Sequence, residues 1–245
     1  MDKVDFYLED LRSKFNKLNI QKYYLSYSGG KDSHLLYWFI KNYASEFKDI
    51  LVVGINTYME HPQIRERMYK NSNKILLPTK KPFEIKEKYG IPCFSKWQDD
   101  MIYRYQRGSR RPYLIERITG IHKDTGEEVE GRFKLNKKAK EMVLNGTLHK
   151  VSPKCCTYLK KEPARKFEKE SGLKPILGVR GNESGLRQIQ YKSCFTKDGK
   201  FTPLWDLTDE LMDSIYEKYN IEIPEIYNYV ERTGCFRMPL WELET

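Results

Sequence analysis

Val4, Leu8, Leu11, Phe15 and Leu18 recur in steps of four and three, the spacing of one helix face, and predict an amphipathic helix over residues 4–18. A short strand at Tyr23–Tyr27 and a helix from about Ser33 to Phe47 follow. The unbroken branched run Ile50-Leu51-Val52-Val53-Gly54-Ile55-Asn56 suits a strand covered on both faces of a parallel sheet. Pro62 opens a helix that reaches Asn71, Lys74–Leu77 forms a third strand, and Pro82–Tyr89 another helix. After residue 95 the alternation lapses into long polar helices and the turn-rich piece Lys123–Glu128, an insertion that ends near residue 150. It resumes with a helix over Cys155–Ser171, a strand over Pro175–Val179, a polar hairpin at Asp198-Gly199 and a helix over Asp209–Tyr219. Strand alternating with helix predicts an α/β fold with a doubly wound parallel sheet and right-handed crossovers. The expected organisation is an N-terminal helix (1–19), an α/β domain (20–205) with a helical insertion at about 95–150, and a C-terminal helical arm (206–245).

Composition narrows the setting. The 245 residues are 39% apolar and 32% charged, and no apolar run approaches the roughly 20 residues a membrane span needs, so no membrane partner is expected. The start Met1-Asp2-Lys3-Val4-Asp5 has no apolar signal core, which makes the cytoplasm the expected location. A net charge of +10 favours anionic partners. Between residues 104 and 117, Arg104, Arg107, Arg110, Arg111 and Arg117 interleave with Tyr105 and Tyr113, a pattern that suits nucleic acid or a nucleotide phosphate and equally a solvated helix face. Five cysteines without an export signal argue for thiols, a metal site or chemistry rather than a disulfide framework. His34, His61, His122 and His149 are scattered and form no metal or triad signature.

The candidate chemistry begins at Ser28-Gly29-Gly30-Lys31-Asp32-Ser33, between the first strand and its helix. Glycines let main-chain N–H groups approach an anion at a helix N-terminus, and the peptide dipoles favour negative charge there. Lys31 adds a mobile cation, Asp32 is a candidate holder of Mg²⁺, and Ser28 and Ser33 supply hydroxyls. A Walker loop is excluded because Asp32 stands where Ser or Thr is required and Leu25 where Gly is required. A capped tight turn is the plainer alternative.

The six residues in this context resemble the pyrophosphatase loop of the N-type ATP pyrophosphatases, the adenine nucleotide α-hydrolase-like (PP-loop) superfamily. Within it, Gly178-Val179-Arg180-Gly181-Asn182-Glu183-Ser184 with Arg187 is similar to the Gly-x-Arg-x-x-Glu-Ser segment of the phosphoadenosine phosphosulfate reductase family, whose arginine approaches the phosphate or sulfate. Pro203–Thr208 and Ile223–Tyr227 resemble that family's closing region, and Asn56-Thr57 takes the place of its second-strand motif, with Tyr58 departing from the pattern. The likeness covers residues 20–80 and 150–240.

The resemblance implies an adenine nucleotide, ATP or phosphoadenosine phosphosulfate, bound with Mg²⁺ by Ser28, Gly29, Gly30, Lys31, Asp32, Ser33, Asn56, Thr57, Gly178, Arg180, Glu183 and Arg187, with Lys31, Asp32 and Arg180 in catalytic roles. It further implies sulfur chemistry with a sulfur-donor or redox protein as partner. Cys155-Cys156 followed by a distant Cys-x-x-Cys pair is how some sulfonucleotide reductases hold a [4Fe–4S] cluster. Here Met238 replaces the second member of that pair, so Cys155, Cys156, Cys194 and Cys235 become the candidate ligands of a cluster or of Zn²⁺, against the alternative of buried thiols. Cys93 is left over as structural, and no tail thiol follows Cys235 for reductive release of sulfite. Two further readings remain open: ATP-dependent thiolation or phosphorothioation of nucleic acid, and a non-catalytic nucleotide-sensing subunit.

Overall fold

The computed structural model describes residues 2–129, 135–181, 192–230 and 233. They form two compact units: residues up to 56, 60–77 and from 163 onward make the first, and 57–59 with 78–162 the second.

The first unit is built on a four-stranded parallel sheet of β1 (Tyr23–Tyr27), β2 (Leu51–Ile55), β3 (Lys74–Leu76) and β4 (Lys174–Leu177), in the order β3-β2-β1-β4. Alternation along β1 and β2 sends side chains to opposite faces. On one face Leu25, Tyr27 and Val52 join the main core with α1 (Lys3–Asn16), α2 (Lys31–Trp38) and α9 (Asp209–Lys218). On the other, Tyr24 and Val53 pack with Phe167 of α8 (Glu162–Ser171), whose ring meets Tyr24 edge-on at 5.0 Å. Burial on both faces is why β2 carries an unbroken apolar run.

Val4, Leu8, Leu11 and Phe15 of α1 are buried, as their spacing predicts, and Asp2 caps the helix by accepting from the Asp5 amide. The helix expected to run to Phe47 stops at Trp38. A π-helical turn, Phe39–Tyr43, and a 3₁₀ turn, Ser45–Phe47, follow, with Phe39 and Phe47 each 5.4 Å from Phe15 between ring centroids. α3 (Pro62–Asn71) completes the unit, Pro62 opening it where a missing N–H costs nothing.

The second unit contains α4 (Pro82–Tyr89), α5 (Lys96–Gln106), α6 (Pro112–Thr119) and α7 (Lys137–Leu144). The last three bury Met101, Ile102, Leu114, Ile118, Ala139 and Val143 in a core of their own. Ser95 and Asn136 cap α5 and α7. The turn-rich piece folds back through a bridge between Ile121 and Glu128.

Candidate functional site

β1 is the strand at which the order of the sheet reverses: the chain passes to β2 and β3 on one side and later returns to β4 on the other. Open parallel sheets leave a crevice at such a point, beyond the carboxyl ends of the strands. Ser28, Gly29 and Gly30 leave β1 there and lead directly into α2.

The loop is tightly specified. Gly29 has φ +80°, and a Cβ on it would lie 2.5 Å from the Ile64 carbonyl oxygen, so only glycine fits. The Ser33 hydroxyl donates to the Gly30 carbonyl at 3.1 Å, lies 3.0 Å from the Ser28 hydroxyl and accepts from the Ser28 amide at 3.2 Å. Gly30 is the N-cap of α2 and offers no side chain to its orphan amides. Gly178, just beyond β4, brings the two strands' exits together: a Cβ there would lie 2.7 Å from the Ser33 nitrogen.

One of those amides is already engaged. The Lys31 N–H donates to the Tyr227 hydroxyl at 3.0 Å, the Lys31 ammonium lies 4.8 Å from the Tyr227 ring centroid, and the Lys31 carbonyl accepts from Tyr216 at 2.7 Å. Tyr227 in turn lies 3.1 Å from the Thr233 hydroxyl. The arm before it is pinned to α3, where Gln63 accepts from the Ile226 amide at 3.0 Å and Arg67 donates to the Glu222 carbonyl.

Arg180 is buried and doubly paired, its Nε 2.6 Å from Asp32 and its Nη1 2.5 Å from Asp209. Burial opposes its charge, but the two carboxylates outweigh burial and hold its proton more tightly than usual. Two expected site residues, Asp32 and Arg180, are thus brought together and face each other. Asn56, at the end of β2, is buried and donates to the Tyr69 hydroxyl at 2.8 Å. Thr57 belongs to the second unit, where its hydroxyl accepts from the Met59 amide. Glu183, Arg187 and Cys235 lie outside the described residues.

Two residues take places that the sequence does not disclose. His34 is buried on α2, and burial, reinforced by the Arg67 charge, lowers its pKa to about 3. Asn71 donates to the Tyr27 hydroxyl at 3.0 Å, leaving that hydroxyl's proton for His34 Nδ1 at 2.9 Å, so the neutral ring carries its proton on Nε2. Arg67 is buried with its Nη1 unpartnered among the described residues, a cation in reserve on α3.

Of the candidate metal ligands, Cys194 lies at the edge of the first unit's core and Cys155-Cys156 open a helical turn in the second. The Cys155 hydrogen bond, with Lys160, Lys96 and Lys161 nearby, outweighs burial and lowers the Cys156 pKa to about 6. Among the described residues no group of three or more His, Cys, Asp and Glu is placed to hold a metal ion. Likewise no helix among them is long and apolar enough to cross a membrane.

The structure is similar to the crystal structure of phosphoadenylyl-sulfate (PAPS) reductase from Candida auris in its phosphate complex, with a TM-score of 0.50 over 95% of this chain and 96% of that one, at 15% sequence identity. The chain has a PAPS-reductase-like fold. No protein-family model and no curated protein sequence matches it.

Proposed function

We propose that the first unit is a PP-loop enzyme that binds an adenine nucleotide by its phosphates at Ser28–Ser33. The observation that carries this reading is the Tyr227 hydroxyl on the Lys31 amide, because a polar oxygen already sits where an anion's oxygen would be received. The strand-order reversal at β1, and a structural neighbour described as a reductase of an adenylyl sulfate crystallised with phosphate, support it.

In this reading the Lys31 amide and ammonium meet phosphoryl oxygens once the phenol moves aside, and Ser28 and Ser33 fix the loop that presents them. With ATP, an acceptor attacks the α-phosphorus in line, the α–β bridging bond breaks, and pyrophosphate departs with the electron pair. Lys31 stabilises the charge that gathers on those oxygens. With a sulfonucleotide, the same cradle holds the phosphate while an acceptor attacks the sulfur, the sulfur–oxygen bond to the phosphate breaks, and the nucleoside phosphate departs with the electron pair. Mg²⁺, when bound, would neutralise phosphate charge. Asp32 is the carboxylate nearest that task, and its bond to Arg180 must then rearrange or be shared.

The test is calorimetric titration of reduced protein with ATP and with phosphoadenosine phosphosulfate, followed by assays for AMP, pyrophosphate and sulfite. Binding lost in Lys31→Ala, together with one of those products, supports the proposal. Unchanged affinity and turnover in that variant would reject it.

A further inference from the structure

The chain's charge is concentrated in one unit. Residues 78–162 hold twenty lysines and arginines against eleven aspartates and glutamates, nine of the ten net positive charges, which leaves the remainder nearly neutral.

Within that unit several cations stand over tyrosine rings rather than beside carboxylates. The Arg107 guanidinium lies 5.5 Å and the Lys154 ammonium 5.7 Å from the Tyr103 ring centroid. One helical turn beyond Lys154, whose carbonyl accepts from the Tyr158 amide, the Tyr158 ring stacks on Tyr89 at 5.0 Å and 20°, with the two hydroxyls 2.7 Å apart. Lys80 lies 4.6 Å over Tyr158. The row runs from Arg107 to Tyr89, its cations are at least partly exposed and its rings are half-buried. Arg104, near the end of α5, is held by Asp100 at 2.7 Å, whereas Lys80, Arg107 and Lys154 have no carboxylate partner among the described residues.

We propose that this row is a binding surface for single-stranded nucleic acid. Lys80, Arg107 and Lys154 take the phosphates, and the bases stack against Tyr103, Tyr158 and Tyr89. Charge alone would suit any polyanion. Aromatic faces covered by cations, which a strand's phosphates would draw aside, suit a strand whose bases are unpaired, since a duplex keeps its base faces to itself. The inference stands apart from nucleotide chemistry in the first unit and does not depend on it.

Fluorescence anisotropy with a labelled single-stranded oligonucleotide, a duplex of the same sequence and heparin as competitor tests it. Expected are tighter binding of the single strand than of the duplex and a fall in log affinity with log salt whose slope shrinks by about 0.7 for each of Arg107→Ala and Lys154→Ala. Tyr103→Leu and Tyr158→Leu, checked for folding by circular dichroism, should each weaken binding about tenfold while leaving the slope and the ATP affinity unchanged. Absence of binding overturns the proposal. So does equal binding of duplex, equal competition by heparin, or indifference to both tyrosine variants, since these outcomes describe a general polyanion surface.

Discussion

The hydroxyl oxygen of Tyr227 lies 3.0 Å from the amide nitrogen of Lys31, although 196 residues separate them. In the proposed function an anion entering the loop would compete with that phenol for the same N–H. A neutral hydrogen bond contributes about 0.5–1.5 kcal/mol net, so removing the competitor should tighten phosphate binding by about two- to tenfold. Tyr227→Phe keeps the ring beneath the Lys31 ammonium and deletes the hydroxyl, with its contacts to the Lys31 amide and to Thr233. Calorimetry with ATP should therefore show tighter binding in the variant. Weaker binding would make the phenol a contact of the ligand instead.

Arg180 holds the loop's carboxylate in place. It and Asp32 are both largely withdrawn from water, whereas the Asp209 side chain is 66% exposed. Removing one member of a buried pair leaves the other uncompensated, at a cost of about 3 kcal/mol. An exposed partner contributes about 0.5 kcal/mol. Arg180→Met should lower stability in urea by the larger amount and Asp209→Asn by the smaller. Equal losses would place the whole of the arginine's contribution in its bond to Asp209 and none in its bond to Asp32.

What the sequence disclosed follows from how local each signal is. β1, α3 and α4 are legible because period, proline and apolar runs act within a few residues, and Ser28–Ser33 because glycine, hydroxyl and lysine are concentrated at one strand-to-helix junction. The interruption after Trp38 is not, since a 3.6-residue period cannot register a π-helical turn made to keep Phe39 and Phe47 on Phe15. The pairing of Arg180 with Asp32 is not legible either, because 148 residues separate the two. Arg67 looks like any arginine of a polar helix face, because its burial depends on the arm that returns at Glu222.

Gly178 acts by absence. With no left-handed φ to satisfy, its requirement is steric: an added Cβ lies 2.7 Å from the Ser33 nitrogen and 2.8 Å from the Asp32 carbonyl carbon, both backbone atoms. Overpacking of this kind costs about 1–3 kcal/mol and displaces the N-terminus of α2. Gly199 gives the comparison, having φ +79° but no neighbour within 4 Å of its Cβ position. Gly199→Ala should cost about 1 kcal/mol of backbone strain and leave ATP affinity intact. Gly178→Ala should lower both stability and affinity in urea melts and calorimetry. Intact affinity in Gly178→Ala would detach this glycine from the geometry of the loop.

His34 sets an acid limit on the first unit. Burial, with the charge of Arg67 behind it, holds its native pKa at about 3, against about 6.5 in an unfolded chain. Between those values the unfolded chain takes up a proton that the native ring refuses, so stability falls as pH drops from about 6.5 toward 3. The slope from this residue is at most about 1.4 kcal/mol per pH unit, and above 6.5 its contribution is constant. His34→Gln retains an acceptor for the Tyr27 hydroxyl without a titrating ring. Urea midpoints at pH 7.5, 6 and 5 should fall less steeply with acidification in the variant than in the unaltered protein. Parallel profiles would show that this imidazole takes up its proton in the native state as readily as in the unfolded chain.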